Sequence, residues 1–437
     1  DAICNDSRKV TKGSVFVAVK GFASDGHDYI ALALGKGAKA IVYEDQEALD
    51  RQILPPYLDG IALIKAESSR YTLAIMAANF YDNPSHKLTL VGITGTNGKT
   101  TTTTLLKKIA YDNGIKPCEH DLEGMQGNAE FIPILQSRLN GDVGILEVGT
   151  FGVPGTVGRI VKNTSMKGGL ITNITPDHLN DLGSFIDYAN GKGEFISELN
   201  EGTLIVNGHD PTIMGLIREL DFKGEVITFG VDELPDSIGM KECVCGAEIA
   251  VKEIISGCGY YFCKCGITTP QVDYIATNVD LTNRTFDLHT PSEKLTVKMG
   301  VDGLHNVYNL TGVIIAAHEF LELPYNKILP SIASFTGVSG RMEEVGKVKG
   351  KDIFVDYAHN PAGVETVLKE FKKLFGDFTT VITVSSESGY VGDVDIFNSV
   401  LKFSKFIVPA SVASQKIALE KLNDNPKLND RIFLNHL

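Results

Sequence analysis

Residues 88–105 read LTLVGITGTNGKTTTTTL, and this stretch decides the fold of the chain. The run from Leu88 to Ile93 is typical of a buried strand, the glycines after it allow a tight turn, and a helix is predicted from Thr100 to Tyr111. A glycine loop between a strand and a helix N-terminus directs unpaired backbone N–H groups at one point, which suits a phosphate. Lys99 adds positive charge, and the Thr100 hydroxyl can ligate magnesium. The stretch therefore predicts a nucleotide-binding loop.

The fit of this loop to the general phosphate-loop pattern is imperfect. The first glycine of that pattern should fall at Ile93, whereas Gly92 stands one position earlier. A plain glycine turn is the alternative interpretation. The order of strand, loop, Lys-Thr pair and helix favours nucleotide binding, because all four parts occur in sequence.

Composition and charge narrow the class of protein. A chain of 437 residues with 43% hydrophobic residues suggests two or three globular domains, and no apolar run is long enough to cross a membrane. The net charge of −13 argues against nucleic acid as a partner. We see no secretory or transit segment, and five of the seven cysteines crowd between Cys243 and Cys265, so we expect a reducing compartment, the cytoplasm.

The alternation of elements predicts an α/β fold with three parts. Short strands with a helix fill residues 1–85, and buried-type strands alternate with helices over 86–335, which indicates a parallel sheet. A third unit, 336–437, carries further buried strands. Within the second unit, cysteine pairs and strand-like alternation over 241–300 predict a β-rich insertion.

The cysteines of this insertion have the spacing of metal ligands. Cys243 and Cys245 form one pair, and Cys263 and Cys265 form a second pair about a hairpin away, which predicts a zinc ribbon over about 241–270. A usual ribbon has two residues between its cysteines, and here each pair has one, so Cys258 is an alternative ligand. Four thiolates leave no open coordination position, which favours a structural zinc.

Several polar residues follow predicted strands at the edge that carries the phosphate loop. Glu147 closes the strand DVGILEV, where a buried carboxylate needs a cation or a hydrogen bond. Asp177 and His178 follow the strand GGLITNIT, and the alternative for His178 is an ordinary loop histidine. Asp356 stands at the end of a third-unit strand, although a surface turn would explain it as well.

Two helices carry further candidates. Lys192 lies in the helical stretch DYANGKGEFI, where an exposed helix face is the simpler explanation. Asn306 and Asn309 lie at the start of a long helix; capping explains one asparagine, and the pair could also contact a base.

Taken together, the motifs resemble those of the Mur ligases, which join an amino acid to a nucleotide-linked peptide precursor of the cell wall. The matching segments are GTNGKTT (95–101), TNITPDHL (172–179), YANGK (188–192), HNVYN (305–309), GRME (340–343) and DYAHNP (356–361). The opening DSRKVTKGSVFVAVKG (6–21) is similar to the N-terminal domain of the MurE branch. The resemblance covers nearly the whole chain.

The resemblance implies a three-domain architecture: a small N-terminal α/β domain for the uridine nucleotide, a central phosphate-loop ATPase domain and a C-terminal Rossmann-like domain for the amino acid. It implies catalytic roles for Lys99, Glu147, His178, Lys192 and Arg341. ATP would be bound by Gly95, Thr96, Asn97, Gly98, Lys99, Thr100, Thr101, Asn306, Asn309, Arg341 and Asp356.

The magnesium and substrate ligands follow from the same resemblance, whereas the zinc ligands follow from the cysteine spacing. Magnesium would be held by Thr100, Glu147, His178 and Lys192, the last as a carbamate in many members of the family. The substrate would contact Ser7, Arg8, His359 and Asn360. Zinc would be held by Cys243, Cys245, Cys263 and Cys265.

Departures from the bacterial pattern bear on the substrate. GTFGVPG (149–155) stands where MurE enzymes have paired serines, and the C-terminal unit has SSESGYVGDVD (385–395) instead of the motif that selects diaminopimelate. A similar ribbon interrupts MurT, which lacks the uridine-binding domain. A MurE-like start, a ribbon and altered substrate motifs together resemble the archaeal pseudomurein peptide ligases.

Our leading hypothesis is an ATP-dependent amide ligase that extends a UDP-linked peptide of pseudomurein through an acyl phosphate. The resemblance implies ATP and Mg²⁺ as cofactors, and the cysteine spacing predicts structural Zn²⁺ as well. We expect a monomer that does not bind nucleic acid and does not insert into a membrane. The alternatives are a bacterial MurE-type ligase, a MurT-like amidating synthetase and a non-enzymatic nucleotide-dependent scaffold with a zinc ribbon.

Overall fold

The structure is a computed structural model that describes residues 2–21, 24–52, 59–118, 141–149, 154–177, 184–384 and 389–434. In these ranges the predicted α/β fold is confirmed, with separate sheets in the N-terminal, central and C-terminal parts of the chain. No helix among these residues is both long and apolar enough to cross a bilayer.

The N-terminal domain is a four-stranded parallel sheet with helices packed against it. Its strands are β1 (Ile3–Cys4), β2 (Val15–Val17), β3 (Ala40–Tyr43) and β4 (Ala62–Lys65), and its helices are α1 (Ile30–Gly35), α2 (Gln46–Gln52) and α3 (Ser69–Phe80). Phe16 and Ile41 point into its apolar core, where both are almost completely buried.

The central domain is built on an eight-stranded sheet of order β15-β14-β13-β9-β8-β7-β5-β6. Its first part contains β5 (Thr89–Thr94), α4 (Lys99–Asp112), β6 (Val143–Glu147), α5 (Thr156–Thr164), β7 (Gly168–Ile171), α6 (Phe185–Leu199), β8 (Thr203–Asn207), α7 (Pro211–Glu219) and β9 (Glu225–Val231). These strands are mutually parallel, so their carboxyl ends share one edge of the sheet.

An insertion follows β9 and forms a separate three-stranded antiparallel sheet. It consists of β10 (Ser237–Glu242), β11 (Glu248–Ile255) and β12 (Cys258–Tyr261). The prediction that the insertion continues to residue 300 is wrong. Residues 274–298 instead form β13 (Tyr274–Asp280), β14 (Thr285–His289) and β15 (Lys294–Lys298), which extend the central sheet. Their alternating pattern is that of a sheet with one buried face, and such a pattern does not reveal which sheet the strands join.

Two further helices complete the central domain: α8 (Leu304–Leu321) and α9 (Tyr325–Ala333). Helix α8 packs against α4 and against strands β7, β8, β9 and β13. It is surrounded by protein along most of its length, which is why its sequence is apolar on nearly every side. This burial fixes the start of α8 beside the phosphate loop.

The C-terminal domain has a β-hairpin and a parallel two-stranded βαβ unit. Its elements are β16 (Glu343–Val348), β17 (Lys351–Val355), α10 (Pro361–Phe375), β18 (Thr379–Ile382), α11 (Gly389–Phe403), β19 (Phe406–Pro409) and α12 (Val412–Asp424). Asn360 is the N-cap of α10, and its side-chain oxygen accepts a hydrogen bond from the Gly363 amide at 2.8 Å.

Candidate nucleotide and metal site

A cleft of about 630 Å³ lies where the central domain, the insertion and the C-terminal domain meet. The carboxyl ends of β5, β6, β7 and β8 open into it, as expected for the ligand site of a parallel sheet. The cleft combines residues far apart in the sequence, including Thr96–Thr101, Glu147, Asp177, Lys192, Asn306, Asn309, Arg341, Asp356 and His359.

The predicted phosphate loop connects β5 to α4, as the sequence indicates. Gly95 and Gly98 both have positive φ, +136° and +88°. A Cβ on Gly95 would lie 2.1 Å from Thr172 Oγ1, and one on Gly98 would lie 2.4 Å from Asn309 Oδ1. Side chains at these two positions would push the neighbouring segments away, so the loop depends on glycine for both its backbone conformation and its packing.

The loop is held by the segment Thr172–Asp177, which follows β7. The Thr96 amide donates to Asn173 O at 2.7 Å, and the Asn97 amide donates to Asn173 Oδ1 at 3.1 Å. In return the Thr172 hydroxyl donates to Asn97 O at 2.6 Å, and the Thr175 amide donates to Thr96 Oγ1 at 3.0 Å. These reciprocal hydrogen bonds fix the position of the loop against this segment.

Lys99 lies at the first position of α4 and faces the cleft. Its Nζ donates to Thr96 O at 2.8 Å. Burial lowers the pKa of Lys99, while Glu147 and Asp177 act in the opposite direction by stabilising its charged form. Arg341 lies near enough to oppose that charge. An anion bound between Lys99 and Arg341 would attract both cations and offset their mutual repulsion. This part of the cleft therefore favours an anionic ligand.

Lys192 is the most buried cation of the cleft, with 2% of its surface exposed. Burial, together with the nearby charge of Lys99, lowers its pKa to about 7. Its Nζ lies 5.6 Å from the centre of the Tyr188 ring. A large fraction of this amine is therefore uncharged at neutral pH, so it differs from an exposed lysine on a helix surface.

Glu147 ends β6 and also faces the cleft. Its Oε1 is buried and has no hydrogen-bond partner among the residues that the structure describes. Because a buried carboxylate oxygen without a partner is costly, this atom suits a bound cation. The Thr100 hydroxyl and the Asp177 carboxylate line the same cleft, so these donors are oxygen atoms and fit magnesium.

The two asparagines of α8 face the phosphate loop. Asn306 donates to Asp302 O at 2.6 Å, and Asn309 donates to Asn306 Oδ1 at 3.2 Å. Both are 8% exposed and both line the cleft. They are oriented by each other and by the backbone, which leaves polar atoms available at the wall of the cleft.

The C-terminal domain contributes a second wall. Asp356 accepts hydrogen bonds from the amides of Met342 at 2.8 Å and Ala358 at 2.7 Å, so it ties the GRME turn to the DYAHNP loop. Asn360 is fully buried and donates to Asn97 Oδ1 at 3.0 Å and to Asp177 Oδ2 at 3.3 Å. The structure thus gives Asn360 a role in joining two domains, besides the substrate contact that the resemblance implies.

Some predicted residues lie elsewhere. Ser7 and Arg8 belong to the N-terminal domain and are not among the residues lining the cleft; Ser7 is buried, and Arg8 pairs with Asp6 at 2.9 Å. His178 lies outside the described residues. The roles assigned to these three residues remain predictions, as do the roles of the predicted residues that line the cleft.

The structure also brings to the cleft two residues to which the sequence assigned no role. Asp177 is 3% exposed and faces Lys99, Lys192 and Asn360. The Tyr188 hydroxyl lies 3.0 Å from Thr96 Oγ1, and burial raises the pKa of Tyr188, which keeps this hydroxyl protonated. The position of Asp177 after a strand was visible in the sequence. Nothing in the sequence marked Tyr188 beyond its place in the YANGK segment.

The four predicted zinc ligands come together in the insertion. The sulfur atoms of Cys243, Cys245, Cys263 and Cys265 all lie within 4.8 Å of one another. In each pair a backbone amide donates back to the first cysteine's carbonyl, from Gly246 and Gly266 at 2.8 Å. Cys258 is not in this group, because its sulfur points at Asp210 Oδ2 3.8 Å away.

The comparisons with known proteins agree along the chain. The Mur ligase family catalytic domain matches residues 1–81, the Mur ligase middle domain matches 93–317, and the Mur ligase glutamate ligase domain matches 340–403. A UDP-N-acetylmuramoyl-L-alanyl-D-glutamate–2,6-diaminopimelate ligase of Clostridioides difficile (strain 630) is 33% identical over 382 residues, which is 83% of this chain and 68% of the relative. The equivalent ligase of Clostridium botulinum (strain ATCC 19397 / Type A) is 31% identical, covering 84% and 70%.

Solved structures are similar over nearly the whole chain. A pseudomurein peptide ligase type C from Methanothermus fervidus superposes with a TM-score of 0.70 at 29% identity, covering 97% of this chain and 83% of the other. MurF from Acinetobacter baumannii superposes with a TM-score of 0.69 at 20% identity, covering 99% and 89%, and shares the fold.

Proposed function

We propose, since this chain belongs to the Mur ligase family of ATP-dependent ligases, that it adds an amino acid to a UDP-linked peptide precursor of pseudomurein. The observation that carries the proposal is the convergence of Lys99, Glu147, Asp177, Lys192 and Arg341 on one cleft beside the phosphate loop. The similarity to the pseudomurein peptide ligase supports the substrate class.

The first half of the reaction is transfer of a phosphoryl group. A carboxylate oxygen of the peptide attacks the γ-phosphorus of ATP, the bond from that phosphorus to the β,γ-bridging oxygen breaks, and ADP and an acyl phosphate form. Two anions must approach each other, so Lys99 and Arg341 lower the barrier chiefly by placing positive charge beside the phosphates. Magnesium, held by Thr100 and Glu147 with Asp177 nearby, would neutralise further negative charge on the triphosphate.

The second half is formation of the amide. The amine of the incoming amino acid attacks the acyl carbon, the C–O bond to phosphate breaks, and phosphate leaves as the amine loses a proton. The Asn97–Asn360 and Asp177–Asn360 hydrogen bonds hold the C-terminal domain against the phosphate loop. This contact would exclude water that could hydrolyse the acyl phosphate.

Lys192 would act as an anion in this scheme. An uncharged amine can attack carbon dioxide to give a carbamate and a proton, and the lowered pKa supplies that uncharged form. The carbamate oxygens would then join Glu147 as ligands of magnesium. A carbamate anion at this position would also attract Lys99, whereas the protonated form of Lys192 repels it.

The direct test is ADP release in the presence of ATP, Mg²⁺, a UDP-linked glutamyl peptide and each of the twenty amino acids in turn. We expect ADP release with one or a few amino acids, and no release when either the peptide or the amino acid is omitted. If the protein binds ATP but releases ADP under none of these conditions, the result supports the scaffold alternative and contradicts the proposal.

A bacterial-type substrate is the second candidate, favoured by the 33% identity to a ligase whose name specifies a UDP-N-acetylmuramoyl peptide. Supplying that peptide in parallel separates the two. If the enzyme prefers the UDP-N-acetylmuramoyl peptide, that peptide replaces the pseudomurein precursor as the proposed substrate. The proposed ligase chemistry stays the same. Ammonium as the preferred nucleophile would instead indicate a MurT-like synthetase. The N-terminal domain matched over residues 1–81 argues against that outcome.

We further propose that the four-cysteine group binds one structural zinc ion. Cysteine thiolates in tetrahedral arrangement suit zinc, and the sulfur separations within 4.8 Å allow one ion to reach all four. We expect about one zinc per chain by elemental analysis, and loss of most of it in Cys263→Ser. Cys258→Ser is the matched control, since Cys258 lies outside the group. Equal zinc in wild type and Cys263→Ser would contradict this assignment.

A further inference from the structure

A buried ion pair joins the insertion to the central domain. Lys241, on β10, donates to Asp210 Oδ1 at 2.8 Å, and their side chains are 6% and 0% exposed. Such a pair is uncommon because both charges must leave water, and removing one partner leaves an uncompensated charge in the interior. The chain therefore retains a buried ion pair with a large desolvation cost at the point where the insertion contacts the central domain.

Asp210 links this lysine to the segment that holds the phosphate loop. Its Oδ2 accepts from the Ile174 amide at 2.7 Å, and its Oδ1 accepts from the Thr212 amide at 2.9 Å. Asp210 thus caps α7 and fixes the middle of Thr172–Asp177 with the same carboxylate. Lys241 and the Thr212 amide both donate to Oδ1 of Asp210. The position of the lysine ammonium therefore helps to fix the position of the Asp210 carboxylate.

Ile174 lies between two residues that bond the phosphate loop. Asn173 accepts from the amides of Thr96 and Asn97, and the Thr175 amide donates to Thr96 Oγ1. The Ile174 side chain is fully buried, so the segment has little room to adjust on its own. A displacement of Asp210 would move the Ile174 backbone through their hydrogen bond, and the neighbouring residues Asn173 and Thr175 would move the phosphate loop in turn.

The insertion reaches the opposite side of the cleft as well. Ile255, Ser256 and Cys258, around the β11–β12 turn, line the cleft. The Ser256 hydroxyl bonds the Thr366 hydroxyl on α10, and Asp236 pairs with Lys369 of the same helix at 2.8 Å. The insertion is therefore in contact with both walls of the site.

We propose that Lys241 is a positioning residue for ATP binding, acting through Asp210 on the Thr172–Asp177 segment, so that the cysteine-bearing insertion is a functional part of the nucleotide site. The inference rests on the proposed function for its ATP readout. Lys241 precedes Cys243 by two residues and lies near the end of β10, so a metal held by the cysteine group would sit close along the chain to this lysine.

The test compares Lys241→Met with Lys241→Arg in the full-length protein. The first removes the charge and the second keeps it. In Lys241→Met we expect faster amide hydrogen exchange over residues 172–177 and a Kd for ATP raised about 5- to 150-fold, the usual range for coupling between sites. In Lys241→Arg, hydrogen exchange over residues 172–177 and the Kd for ATP should both stay much closer to the wild-type values. Lys252→Met, at an exposed position on β11, is the control and should behave as wild type.

The two readouts separate this inference from the proposed function. Hydrogen exchange is measured without nucleotide, so unchanged exchange over 172–177 in folded Lys241→Met overturns the inference whatever the protein does with ATP. An ATP Kd within twofold of wild type in that variant overturns it as well. Failure of wild type to bind ATP would instead contradict the proposed function.

A second variant covers the case in which Lys241→Met does not fold. The pair Lys241→Met with Asp210→Asn removes both charges, so no buried charge is left uncompensated. The carboxylate bonds the two amides through different oxygens, and in asparagine one of these positions is an NH₂ donor, so the hydrogen bonds from Thr212 and Ile174 cannot both be kept. We therefore expect a folded protein with faster exchange over 172–177 and weaker ATP binding. Wild-type values for both would overturn the inference.

Discussion

Lys192→Ala is expected to lower amino-acid-dependent ADP release by about 10²- to 10³-fold, the range seen when one preorganised electrostatic group is lost from an active site. The residue is 2% exposed, lies within the electrostatic reach of Lys99, Asp177 and Glu147, and has a pKa lowered to about 7. If it works as a carbamate, the alanine variant lacks an anionic magnesium ligand. Short carboxylates such as acetate or formate should then restore part of the rate.

The pH dependence gives a second readout of the same group. Carbamate formation needs the uncharged amine, and with a pKa of about 7 the uncharged fraction rises as pH increases from 6 to 8. Wild-type activity measured at fixed bicarbonate should therefore rise through about pH 7. In the carboxylate-restored Lys192→Ala enzyme this rise should be absent.

Lys167→Ala serves as the control, because Lys167 is an exposed lysine of the same domain. It should keep wild-type activity and show no response to added carboxylates. If Lys192→Ala loses activity and carboxylates do not restore it, Lys192 acts as a cation or in packing and the carbamate assignment is wrong. Full activity in Lys192→Ala would remove the residue from the site altogether.

Lys99→Met is expected to weaken ATP binding about 10- to 100-fold, in line with the roughly 1.5–3 kcal/mol of a hydrogen bond to a charged group. We also expect ADP release at saturating ATP to fall about 10²-fold or more, because charge beside the transferred phosphoryl group is needed most in the transition state. Isothermal titration calorimetry and steady-state kinetics measure the two effects separately.

Lys108→Met is the matched control for this change. Lys108 lies on the same helix, where it pairs with Asp112 at 2.6 Å instead of lining the cleft. It should bind ATP as wild type does. An unchanged ATP Kd in Lys99→Met would mean that the loop does not hold the phosphates, and the proposed function would lose its central support.

Much of the central site could be predicted from short segments. The strand, glycine loop and helix lie where the sequence places them, and α4 begins at Lys99 and ends at Asp112, one residue beyond each predicted bound. Local chemistry suffices here, because the conformations of Gly95 and Gly98 and the helix N-terminus all depend on neighbouring residues. Glu147 could be predicted for a related reason, since parallel strands end at one edge of the sheet.

Contacts between distant segments were harder to predict. Asp177 could be placed after a strand, but no role followed from its position. Asn173 was not a candidate at all, although it makes three hydrogen bonds to the phosphate loop. The strand-like alternation up to residue 300 also predicted a longer insertion, although β13 to β15 belong to the central sheet. The alternation of apolar and polar residues along a strand shows which face of the strand is buried. It does not show which sheet the strand joins.

The sequence by itself determined the α/β class, the phosphate loop, the cysteine pairs and the family resemblance, because each depends on residue types at short spacing. Only the tertiary structure decided that Lys192 is a buried amine and not an exposed surface lysine, and that Lys241 reaches the phosphate loop through Asp210 and Ile174. Burial and the partners of a charge are set by segments tens of residues away. A lysine's protonation and role therefore follow from packing, which no short stretch of sequence contains.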